Sequence, residues 1–78
     1  MNHQRFCIRK TDPTDEFRYR CSMDESAYST TPWHLNEMLF QTSKKAAAAL
    51  LVIGNNDLEV VMIDIRMTVL EIKISVTA

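Results

Sequence analysis

The sequence predicts an α+β fold: a small antiparallel sheet in β-β-α-β-β order with one helix packed on one face. Three observations carry this. Residues 5–23 alternate apolar and polar side chains around a turn that contains Asp12 and Pro13. Residues 32–53 repeat apolar residues at helical spacing. Residues 59–78, "EVVMIDIRMTVLEIKISVTA", run for twenty residues with no Gly, Pro or Asn.

The chain has 78 residues, which predicts one domain over 1–78. A chain this short buries only about 60–65% of its unfolded surface, so the core is thin. Composition is ordinary for a globular protein, with 46% hydrophobic and 24% charged residues. The net charge of −1 gives no global field toward nucleic acid or membrane. Two cysteines, Cys7 and Cys21, without a CxxC motif do not make a disulfide scaffold. "MNHQRFCIRK" lacks the apolar core of a signal peptide. The longest apolar run, "AAAALLVI", is eight residues, short of the roughly twenty that span a bilayer. A cytoplasmic chain without a membrane partner is expected.

In the first hairpin, "RFCIRK" and "FRYRCSM" flank "TDPTDE". Pro13 fixes its own φ, and Asp12 can accept hydrogen bonds from amides just downstream. With Thr11 opposite Glu16, Ile8 faces Tyr19 and Phe6 faces Cys21. Arg9 then faces Arg18, and Cys7 faces Arg20. One side is apolar and the other basic, and a one-residue slip would mix them.

Residues 24–31, "DESAYSTT", read as a polar loop. Thr31 can cap a helix beginning at Pro32, and Gly54 sits where helices end. Leu35, Leu39, Thr42, Ala46, Leu50 and Ile53 recur at helical spacing. The reading preferred is one helix over 32–53, with a break at Thr42 or Ser43 as the alternative. "GNND", residues 54–57, is a turn.

In the last stretch Val61, Ile63, Ile65, Met67 and Val69 share one parity. Leu70, Ile72, Ile74 and Val76 share the other. The phase slips between Val69 and Leu70, and a strand tolerates that only at a bulge or bend. Either the chain turns back near Thr68 or its last strand pairs with another chain. "LEVVMI", residues 58–63, is apolar on both sides and predicts a strand covered on both faces. One helix cannot cover both, so homodimerisation through the C-terminal strands is expected.

Arg5, Arg9, Arg18 and Arg20 share one face in this register. Arginine binds carboxylates and phosphates bidentately, so an acidic protein surface or nucleic acid would suit that face. Phe6, Phe17 and Tyr19 lie on the other face, which argues against a nucleic-acid stacking platform. Trp33 and Tyr28 are candidate apolar anchors, as Trp and Tyr are enriched at interface centres. His3, His34, Cys7 and Cys21 match no zinc spacing. Gly54 is the single glycine, too few for a phosphate loop. Asp24 and Glu25 adjoin no recognisable acid–base partner.

No metal, cofactor or enzymatic activity is expected. The predicted role is a small protein-binding module of inhibitor or adaptor type. Compact domains of this size are common among phage and mobile-element products. Its binding residues would be Arg5, Arg9, Arg18, Arg20, Tyr28 and Trp33, and its partner an acidic protein surface. The alternative is nucleic-acid binding by the arginine face.

Overall fold

A computed structural model of the chain describes residues 4–23, 26–32, 37–64 and the backbone of 68–74. The elements are β1 (Gln4–Lys10), β2 (Tyr19–Arg20), β3 (Tyr28–Ser29), α1 (Ser43–Ile53), β4 (Leu58–Asp64) and β5 (Thr68–Ile74). The strands form one antiparallel sheet in the order β3-β2-β1-β4-β5. The fold is α+β with one helix on the sheet, as expected. One strand is added, because Tyr28–Ser29 pairs with β2 inside the stretch read as a loop.

The first hairpin forms, but one residue out of the expected register. Arg9 stands opposite Tyr19, not Arg18. The turn explains the slip. Asp12 Oδ1 accepts hydrogen bonds from the Thr14 amide at 2.9 Å and the Thr14 hydroxyl at 2.7 Å. Asp15 Oδ1 then accepts from the Phe17 amide at 2.9 Å. Two successive side-chain turns lengthen the connection. The ladder resumes where the Lys10 amide donates to Arg18 O at 2.8 Å.

The helix starts at Ser43, so the expected single helix over 32–53 is corrected. Residues 33–36 lie outside the described residues, and 37–42 are not helical. Phe6 and Phe40 exchange two backbone hydrogen bonds of 2.8 Å, and the Glu37 amide donates to Cys21 O at 3.0 Å. The segment thus lies beside the first half of β1, where pairing with β2 has ended. Its side chains alternate as in a strand. Met38 and Phe40 enter the core under the helix, while Leu39 enters the core on the other face. "EMLF" fits both periods, and the open edge of β1 decides between them.

Thr42 caps α1, its hydroxyl accepting from the Lys45 amide at 3.2 Å. Gly54 ends it with φ 69° and donates its N–H to Leu50 O at 2.9 Å. That left-handed conformation suits glycine at a helix end.

β1 and β4 pair along their full length, from Gln4 with Asp64 to Lys10 with Leu58. β5 turns back on β4 within the chain: Asp64 is the partner of Thr68, and Val60 of Ile74. The register of this pairing shifts between Met62 and Asp64, opposite the part of β5 where the sequence slips in parity. Residues 65–67 lie outside the described residues.

Both faces of β4 are buried, as "LEVVMI" predicts. Ile8, Met38, Ala46, Leu58 and Val60 form the core beneath α1. Cys7, Tyr19, Val61 and Ile63 form a second core, with Leu39 packed against it. Val60, Val61 and Ile63 are each 0% exposed within the single chain. Burying each such side chain contributes about 1.5–3 kcal/mol. The second face is therefore covered without a second subunit, and that reason for a dimer falls away.

Candidate protein-docking surface

The four arginines do not share an open face, which corrects the expected basic surface. Tyr19 and Arg20 are successive strand residues, so they point to opposite sides of the sheet. Arg9 faces the side of Tyr19, and Arg20 lies on the side of Tyr28. Arg9 and Arg20 are only 4% and 6% exposed.

Each is held by the chain. Arg9 stands opposite Glu59, and its Nε donates to Glu59 Oε2 at 2.6 Å. Desolvation pulls the Arg9 pKa down, but bonding to Glu59 and Tyr19 outweighs it and holds the guanidinium above its usual value. Arg18 Nη2 lies 3.8 Å from the same carboxylate oxygen and donates to Lys10 O at 2.9 Å. Arg20 donates from Nε to Ser22 O, from Nη2 to Met23 O and from Nη1 to the Tyr28 hydroxyl. Arg5 Nη1 donates to Gln4 O at 2.8 Å.

Tyr28 is half-buried. The Lys10 ammonium sits 4.4 Å from its ring centroid and the Arg20 guanidinium 5.8 Å. Such contacts stabilise by about 0.5–2 kcal/mol. Lys10 also pairs with Asp15 at 2.8 Å. Tyr28 is thus a bracket between β1 and β3. Trp33, the other expected anchor, lies outside the described residues.

The outer face of α1 is different. Lys44, Lys45, Ala48, Leu51 and Val52 are exposed. Leu51 keeps 53% of its surface in solvent and Val52 76%. Among the described residues, Lys44 and Lys45 form no ion pair, and the first helical turn has no acidic residue. A signal for this face was present in the sequence. Leu50, Leu51, Val52 and Ile53 are four successive apolar residues. On a helix, successive side chains point about 100° apart, so all four cannot face one sheet. Leu50 and Ile53 turn inward, leaving the middle pair outside.

Among the described residues, two further large apolar side chains are exposed, Phe17 at 53% and Met23 at 38%, both outside regular elements. Cys7 and Cys21 are not joined by a disulfide. Burial pushes the Cys7 thiol up to about 12, against a smaller opposing effect of Arg9. Among the described residues, no cluster of three or more His, Cys, Asp or Glu could hold a metal ion. Among them, too, no helix is long and apolar enough to cross a membrane. Comparison with known proteins finds no matching family model, no significantly similar curated protein and no significantly similar solved structure.

Proposed function

We propose that this chain is a small non-enzymatic protein-binding module, of inhibitor or adaptor type, acting in the cytoplasm by occupying a partner's surface. The observation that carries this reading is the outward face of α1. A core of this size gains from every buried apolar side chain, yet Leu51 and Val52 are left in water. The two side chains adjoin on one helix face, where a partner that covers them would remove apolar surface from water. A nucleic-acid partner is less favoured, because Arg9, Arg18 and Arg20 already bond within the chain and phosphate would compete with those bonds.

The test is a random-peptide display selection on the folded protein. It is counter-selected with a Leu51→Gln, Val52→Gln variant whose circular dichroism matches wild type. Enriched peptides that ignore the variant support the reading. A selection that enriches nothing specific to the wild-type helix overturns it.

Self-association through the C-terminal strands belongs to the same proposal. Among the described strands β5 has one neighbour, β4, so its outer edge offers unpaired backbone groups. A second copy adding there would extend the sheet. Light scattering at low and high salt tests it. A dimer that persists at both supports the shared edge, and a monomer across the concentration range removes it.

A further inference from the structure

We infer that α1 receives an acidic amphipathic segment of its protein partner. Carboxylates would meet Lys44 and Lys45, and apolar side chains would cover Ala48, Leu51 and Val52. This rests on the binding-module reading and adds the chemistry of the occupant.

Charge complementarity identifies it. Lys10 pairs with Asp15, Arg9 and Arg18 lie against Glu59, and Arg5 and Arg20 bond carbonyl oxygens. Lys44 and Lys45 have no such partner among the described residues. They stand in the first turn of α1, where the helix dipole is already positive and cations are disfavoured. A carboxylate arriving from outside would be attracted by two ammonium groups and by the helix end together.

Spacing defines the ligand further. Lys45, Ala48 and Val52 follow at intervals of three and four, which is one helix face. Seven residues separate Lys45 from Val52, a rise of about 10 Å. The complementary segment therefore carries acidic residues roughly two helical turns from its apolar pair.

Other occupants fit less well. A second copy of α1 brings lysines and no acid, so it supplies no complement. An anionic membrane is bound by helices with several basic residues and bulky Trp, Phe or Leu along the apolar face. Here the exposed face offers two lysines, one leucine, one valine and an alanine.

The experiment uses three labelled helical peptides with the same leucine stripe, flanked by Glu, Gln or Lys. Binding to the whole chain is read by fluorescence anisotropy at low and high salt, beside sedimentation with phosphatidylserine-containing vesicles. The Glu peptide should bind about tenfold tighter than the Gln peptide at low salt, with the gap closing as salt screens the charges. Lys44→Ala, Lys45→Ala should erase that gap while leaving the Gln peptide unchanged. Leu51→Gln, Val52→Gln should abolish binding of both. Equal binding of Glu and Gln peptides overturns the inference but leaves the binding-module reading standing, provided the helix variant still loses both. Binding to vesicles alone, or of no peptide at all, also overturns it. The display selection then judges the broader reading independently.

Discussion

Replacing Glu59 by alanine should come close to unfolding the protein. The carboxylate is the acid that bonds the Arg9 side chain, which is 5% exposed, at 2.6 Å. Removing one member of a buried pair leaves the other charge uncompensated, at about 3–5 kcal/mol. A domain of 78 residues is stable by roughly 4–12 kcal/mol in all. The loss is therefore about a quarter of the total or more, and the melting temperature should fall by roughly 12–40 °C. Urea unfolding followed by circular dichroism measures it, with an unchanged m-value showing that the unfolded ensemble is the same. The double variant Arg9→Met, Glu59→Leu should recover much of the loss, since both charges of the buried pair go together and Arg18 keeps its bond to Lys10 O. A cost below about 1 kcal/mol for Glu59→Ala would refute the reasoning. The Arg9 guanidinium would then be solvated or held by another group, such as Tyr19.

Three further outcomes follow from local geometry. Gly54→Ala should cost about 1 kcal/mol by chemical denaturation, because φ is 69° and the new Cβ would meet nothing closer than 3.9 Å, so strain alone acts. Cys7, fully buried and with its thiol pushed up to about 12, should not react with a disulfide reagent at pH 8 until the protein is unfolded. Two reactive thiols in the folded chain would contradict this. Asp12 is held below the usual carboxylate value of 3.8 by the Thr14 hydroxyl and amide, and Asp15 below it by Lys10 and the Phe17 amide. Groups lowered in the folded state stabilise above their ordinary value and lose that contribution as pH falls through the lowered one. The turn should thus hold at neutral pH and loosen below about pH 3.8. Amide protection factors at Thr14 and Phe17, taken relative to the intrinsic exchange rate at each pH, report it, and protection that does not fall on acidification would count against the side-chain turns.

The fold class was legible because alternation and helical spacing are local signals. Much of what lay beyond them depended on distant partners. Closing the first hairpin at Thr11 and Glu16, which separates an apolar from a basic side, gives a register one residue out. Arg9 can point inward because Glu59, far along the chain, stands opposite it. Thr31 as a cap, Pro32 as a first helical residue and Leu35 and Leu39 on the stripe predict a helix start at Pro32. The free edge of β1 beside Phe6 instead draws residues 37–40 into extended pairing. The double-sided burial of "LEVVMI" is legible in the sequence, but what covers its second face is not. Leu39 and Tyr19 supply part of it from the same chain. The segment that holds the slip in parity folds back on β4 within the chain, and the pairing shifts register there. For the candidate surface, Lys44, Lys45, Leu51 and Val52 carry less charge than the four arginines, yet they are the residues presented to solvent. Charge alone does not distinguish a residue that is presented from one already held.

The pairing of β1 with β4 bears on how the molecule reaches its shape. These central strands join Gln4 to Asp64 and Lys10 to Leu58, so the sheet cannot close until distant parts of the chain meet. Each flanking hairpin is local and can flicker into being early, but neither has a core to rest on before that seam forms. Loop closure must be achieved before any contact rewards it, which slows folding relative to a helical chain of the same length. The rate-limiting event should then be the zipping of this seam. Substitutions at Ile8 and Val60 should slow folding, while changes at the exposed face of α1 leave the rate almost untouched.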